Sequence, residues 1–254
     1  MPQIEKTALV TGGARRIGKA IVRDLAANGF AVALHCNTSR EEADALVANI
    51  RDDGGKAVVV QADLRDTEAA AGLVDRTVEA LGGLDLVVNN ASIFADDSVT
   101  DFDEAVWDAH FAVHLKAPAV IARSFAAALP DGREGLIVNI VDQRVWNLTP
   151  RFFSYTLSKS ALWTATRTMA QALAPRIRVN AIAPGPTLAN ERQDEHDFAR
   201  QIDALILKRG PELGEFGATI RYLWQARSVT GQMIALDGGQ HLAWETPDVA
   251  GISE

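Results

Sequence analysis

The chain has 254 residues, 48% of them hydrophobic, with a formal net charge of −8 and a single cysteine. That length and apolar content support one large core, while the negative balance argues against nucleic acid or an anionic membrane surface as the main partner. Cys36 standing alone excludes an intrachain disulfide, and no apolar run resembles a membrane span or a signal segment, so a soluble cytoplasmic protein is expected.

Residues 7–10 form a short apolar run, followed by Thr11-Gly12-Gly13-Ala14-Arg15-Arg16-Ile17-Gly18 and a helical apolar pattern at Ile17, Ile21, Leu25 and Ala26. This reads as strand, glycine turn, helix. Gly12 and Gly13 permit the turn, Gly18 permits close packing, and free amides at the helix start attract a pyrophosphate. Further β-rich runs at 31–35, 57–61, 84–88, 136–141, 177–181 and 233–236 alternate with helical patterns. The alternation predicts an α/β Rossmann fold: a doubly wound, seven-stranded parallel sheet with helices on both faces. No repeat or linker divides the chain, so residues 1–254 read as one domain. The polar stretch 185–200 reads as a mobile loop of the kind that closes over a substrate.

The residues able to do chemistry fall just beyond the carboxyl ends of these strands, where ligands bind in open parallel sheets. After strand two stand Asn37, Thr38 and Ser39, with no Asp or Glu to hold a ribose 2′-hydroxyl. A 2′-phosphate is then accommodated by Arg16 and these hydroxyls, with Arg15 contributing to a basic pocket, so NADP(H) is the expected cofactor. Asp142 follows strand five, and thirteen and seventeen residues later come Tyr155 and Lys159. Four residues make about one helical turn, so the phenol and the ammonium share a face; the cation is expected to favour the phenolate and tune Tyr155 for proton transfer. A carboxyl at position 142 suits a nitrogen heterocycle better than a developing alkoxide. It also fits a strand-end cap, since Asp is common at such turns.

Taken together, Thr11-Gly12 to Gly18, Asp63-Leu64, Asn89-Asn90-Ala91-Ser92, Tyr155 to Lys159, Pro184-Gly185, Thr230-Gly231-Gln232 and Asp237-Gly238-Gly239 resemble the short-chain dehydrogenases/reductases. Arg16 where glycine is usual, Asp142 where serine is usual, and Ser92-Ile93-Phe94 after Asn-Asn-Ala resemble the pteridine reductases and the related dihydromonapterin and dihydrofolate reductases. The resemblance implies catalysis by Tyr155, Lys159 and Asp142 on a small pterin-like substrate, with no metal. It implies that Phe94 stacks the pterin against the nicotinamide and that Lys159 holds the nicotinamide ribose. It further implies that Asp63 and Leu64 border the adenine, that Asn89 with Ala91 and Ser92 holds the strand-four turn near the cofactor, and that Thr187 meets the carboxamide side. A homotetramer is implied, with helices around 103–129 and 153–174 at one interface.

Several positions carry two readings. Phe94 serves a stacked substrate or packs on the core. Trp146, four residues beyond Asp142, lines the pocket or supports structure. His114 stands where the family usually carries a water-holding Asn, and serves as a proton relay or as a buried neutral residue. Phe111, Leu115, Ile121 and Phe125 pack the sheet or a neighbouring subunit. A ketone or sugar reductase, and a non-catalytic NADP(H) sensor, are the rival functions.

Overall fold

The computed structural model describes residues 6–189 and 194–246, so residues 190–193 of the expected loop and 247–254 of the tail lie outside it. The chain forms one sheet of seven strands in the order β3-β2-β1-β4-β5-β6-β7, every neighbouring pair parallel. The strands are β1 Lys6–Val10, β2 Phe30–Cys36, β3 Ala57–Gln61, β4 Leu86–Asn89, β5 Gly135–Ile140, β6 Ile177–Pro184 and β7 Met233–Leu236. The chain reverses direction across the sheet between β1 and β4, which opens a crevice at their carboxyl ends.

Why the strands read as continuous apolar runs is plain from their surroundings: β2 and β5 are buried at every position, because helices cover both faces. The period of two still sorts their side chains. Leu136, Val138 and Ile140 face helices α1 (Arg16–Ala27), α2 (Arg40–Asp52) and α8 (Leu213–Gln225), whose Ile21, Leu25, Leu46 and Phe216 share that core. Ile137 faces the other side, with Leu73 of α3 (Thr67–Leu81) and with Ile121 and Phe125 of α5 (Ala117–Ala128). Ile121 and Phe125 are fully buried there, so these two pack the sheet.

Helix starts are set by side chains. Asp66 accepts from the amides of Glu68 and Ala69 at 2.8 and 3.1 Å, and Asp103 from that of Val106 at 3.0 Å, starting α3 and α4 (Glu104–Phe111). The helix expected over 103–129 is not uniform. Ala112–Lys116 is a widened π turn, and Pro118 has no N–H to return to the carbonyl of His114, so the ordinary ladder breaks where His114 sits. Helix α6, which carries Tyr155 and Lys159, runs Phe153–Leu173, and α7 (Glu195–Asp203) takes over the end of the stretch expected to be loop, capped by Asp194 on the amide of Asp197.

Strand four begins two residues later than expected. Buried Asp85 accepts from both the backbone N and Oγ1 of Thr7 at 3.0 Å each, which spends Asp85 on anchoring β1. Strand six runs on to Pro184 because Ala183 and Pro184 find partners in Ala235 and Leu236 of β7. Among the described residues no helix is long and apolar enough to cross a membrane.

Candidate active site

A cleft of about 1270 Å³ opens along the carboxyl ends of the strands. Every site residue singled out above lines it except Gly13, Asn89, His114 and Trp146. The glycine turn forms its floor. Gly12 has φ +62°, and a Cβ at Gly18 would lie 2.1 Å from the Gly12 carbonyl oxygen, so only glycine lets the first turn of α1 approach this closely. The start of α1 has no side-chain cap and no acid in its first turn, whereas α3, α4 and α7 begin on capping aspartates. Its amides and its dipole are left for an anion.

Arg16 has φ +50°, which accounts for the glycine usual at this place. Its guanidinium does not stand at the end of β2 as expected. It donates to the carbonyls of Leu188 and Ala189, 3.0 Å each, joining the glycine turn to the segment after β6. Arg15 is the arginine beside α2, paired with Glu42. Asn37, Thr38 and Ser39 line the same end of the cleft, and Asp63 is paired with Arg65 at 2.6 Å.

One positioning residue escaped the sequence reading. His35, 2% exposed at the end of β2, accepts from the Gly12 amide at Nδ1 (3.1 Å) and donates through Nε2 to the carbonyl of Ala62 (3.1 Å). Acceptance at Nδ1 requires the neutral ring, and burial pushes its pKa down to about 4. An unfolded chain takes up this proton near the ordinary imidazole value of 6.5, so stability is retained above that pH and is lost as pH falls from 6.5 towards 4. The loss attributable to His35 at pH 5 is about 2 kcal/mol. Urea unfolding of wild type and His35→Gln at pH 7 and pH 5 should show the variant losing less on acidification; equal losses would remove His35 from this account.

At the catalytic motif, the Tyr155 hydroxyl donates to Asp142 Oδ2 at 2.8 Å, and Asp142 Oδ1 accepts from the Arg144 amide at 2.8 Å. Asp142 therefore acts as a turn cap and a phenol partner at once. The expected electrostatics is reversed. Burial first, then the Asp142 carboxylate, pushes Tyr155 well above the ordinary phenol value, with Arg144 and Ser92 opposing. Tyr155 is thus held as the neutral acid. Lys159 is 2% exposed and donates to the Ile140 carbonyl at 2.8 Å; burial pulls its ammonium down to about 8, with Asp142 acting against the fall.

Phe94 lies in the cleft wall, with its ring 4.4 Å from that of Phe152 and nearly parallel, and edge-on to Tyr155 at 4.8 Å. Phe152 adopts φ +57° at the start of α6, a strained backbone for an aromatic residue. Sequence inspection offered no sign of Phe152, Gln143 or Arg144, which the fold brings to the same wall. Gln143 is buried there, and its Oε1 has no hydrogen-bond partner.

Two expectations, for Asn89 and Trp146, need correction. Asn89 turns away from the cleft and donates to Asn139 Oδ1 at 2.8 Å, while Asn90 holds the turn by donating to the carbonyls of Thr11 and Gly12 at 2.9 and 3.0 Å. One residue of alternation separates the two roles. Trp146 lies 43% exposed against His241, 4.9 Å between ring centroids, and does not line the pocket. His114 is 1% exposed: its Nε2 accepts from the Ile93 amide at 3.0 Å, and its Nδ1 is 2.8 Å from Ser158 Oγ. Burial, and Lys159 next, holds it well below its usual pKa, so it is neutral and ties the β4 loop to α6, with its Nε2 also 3.0 Å from the hydroxyl of Ser92, which lines the cleft.

Comparison with known proteins agrees with this geometry. The FolM alternative dihydrofolate reductases 1 of Brucella suis and Brucella canis, each solved with NADP, superpose with a TM-score of 0.94. Their sequence identities are 64% and 63%, over 96% of this chain and 98% and 97% of theirs. A 3-oxoacyl-acyl-carrier-protein reductase of Synechocystis is 31% identical over 92% of this chain and 96% of that protein. The family model for short chain dehydrogenases matches residues 6–199, from the first residue of β1 through the Tyr155–Lys159 helix, and the protein belongs to that family.

Proposed function

We propose that the protein is an NADPH-dependent reductase of a pterin or dihydropterin C=N bond. The observation that carries this reading is the Asp142 carboxylate 2.8 Å from the Tyr155 hydroxyl, in a cleft walled by Phe94. A carboxylate there hydrogen-bonds the N–H groups of a heterocycle, and an aromatic wall suits a flat ring, with stacking contributing about 0.5–1.5 kcal/mol beyond burial. The high identity to two FolM reductases solved with NADP supports both the substrate class and the cofactor.

The cleft fits NADPH by its donor set. The uncapped start of α1 suits the pyrophosphate, and Thr38, Ser39 and Arg15 suit a 2′-phosphate at a strand end that bears no carboxylate. Lys159 donates to the Ile140 carbonyl, and an ammonium has three donors, which leaves donor capacity for ribose hydroxyls. When bound, NADPH supplies the hydride. Tyr155, kept protonated by burial and by Asp142, donates its proton to the ring nitrogen as the neighbouring carbon is reduced. Asp142 holds the phenol and the ring in register, and a proton from solvent restores Tyr155.

A carbonyl reductase is the second reading, favoured by the identity to 3-oxoacyl reductases. Following NADPH absorbance with dihydrobiopterin, dihydromonapterin, dihydrofolate and a simple diketone separates them. Turnover of a pterin is expected; turnover of the diketone alone would replace this reading with the second, and NADPH binding without any turnover would favour a sensor.

A further inference from the structure

Five of the six arginines lining the cleft are already engaged: Arg15, Arg65, Arg151 and Arg200 are ion-paired, and Arg16 donates to backbone carbonyls. Arg144 differs. It is half-buried in the wall beside Asp142, and its guanidinium lies 4.7 Å from the Phe152 ring centroid and 5.5 Å from that of Phe94. Among the described residues its only hydrogen bond is made by its backbone amide, to Asp142. Contacts to ring faces hold the guanidinium in place without accepting any of its five N–H donors. A partly desolvated fork of donors facing a cleft calls for an acceptor from the ligand.

We propose that Arg144 is a specificity residue that binds a carboxylate on the substrate, and that the Phe94–Phe152 pair beside it receives an aryl group linking that carboxylate to the reduced ring. This deepens the pterin reading above and rests on it: the favoured substrates are pterins whose side chain carries an aryl group and ends in a carboxylate, as the p-aminobenzoylglutamate of dihydrofolate does, over pterins with short neutral side chains. The guanidinium fork matches a carboxylate in bidentate geometry. The adjacent carboxylate of Asp142 disfavours a dianionic phosphate more strongly than a single carboxylate group. Phe152 is held in its left-handed conformation where its ring meets both Phe94 and Arg144, so backbone strain is retained at this spot.

The test compares kcat/KM for dihydrofolate and for dihydrobiopterin in wild type, Arg144→Gln and Arg144→Lys. The ratio of the two should fall by about ten- to a hundredfold in Arg144→Gln, chiefly through KM for dihydrofolate, with partial recovery in Arg144→Lys. An unchanged ratio overturns the proposal, including where both substrates lose rate equally. A binding measurement keeps this separate from the pterin reading: p-aminobenzoylglutamate, titrated into NADP⁺-loaded protein, should bind wild type at least about ten times more tightly than Arg144→Gln. If no pterin turns over, the proposed function fails while the titration still decides the role of Arg144. Equal affinity for the two proteins overturns that role. The thermal midpoint and NADPH affinity of each variant report whether it is folded.

Discussion

Tyr155→Phe is expected to lower kcat by about a thousandfold on whichever substrate the wild type reduces, while NADPH still quenches the protein's fluorescence. The phenol donates to Asp142 Oδ2, and its ring is fixed by Phe94 on one side and His114 on another, edge-on at 4.8 and 5.4 Å. Removing the hydroxyl therefore takes away the proton and leaves the ring where it was. Stability should change by only about 1 kcal/mol, the net value of one hydrogen bond. A variant that retains wild-type kcat would end the assignment of Tyr155 as the acid. Because burial and Asp142 raise the phenol, the acidic limb belongs to the protonated enzyme: reduction should persist up to high pH rather than be lost as an ordinary phenol titrates.

Gly18→Ala is the second large effect. The added methyl would lie 2.1 Å from the Gly12 carbonyl oxygen and 2.6 Å from Asn90 Nδ2, the atom that ties the β1 turn to the β4 turn. Neither neighbour can yield cheaply. Gly12 is itself pressed against Ala91, where a Cβ would meet the Ala91 Cα at 2.8 Å. The expected cost is about 3 kcal/mol, a fall of roughly 6–12 °C in the thermal midpoint of a chain this long. NADPH affinity should fall about a hundredfold as the helix start moves off the phosphate position. Calorimetry and fluorescence titration read the two effects; a variant unchanged in both would show that the turn is looser than these contacts require.

Much of the framework was legible because it rests on local rules. The apolar run 7–10, the glycine turn and the periodic pattern of α1 depend on neighbours within a few residues, and all three stand where the pattern put them. The trio of Asp142, Tyr155 and Lys159 could be grouped from spacing and motif, and its members do line one cleft. Its electrostatics could not be read that way. Whether Tyr155 feels the ammonium or the carboxylate depends on an interatomic distance across two elements, and the carboxylate has the direct bond.

The sequence by itself determined the number and approximate places of the seven strands, the glycine turn before α1, and the carboxylate-free end of β2, since these follow from periodicity, backbone freedom and residue type. Only the tertiary structure decided which of two adjacent asparagines faces the cleft, that His114 is buried and neutral, and that Arg16 reaches the segment after β6. It alone brought His35 under Gly12, twenty-three residues away, and set Arg144 and Phe152 beside Phe94. Those outcomes turn on side-chain direction and on partners far apart in the chain, and the chemistry of each group is set by what buries it.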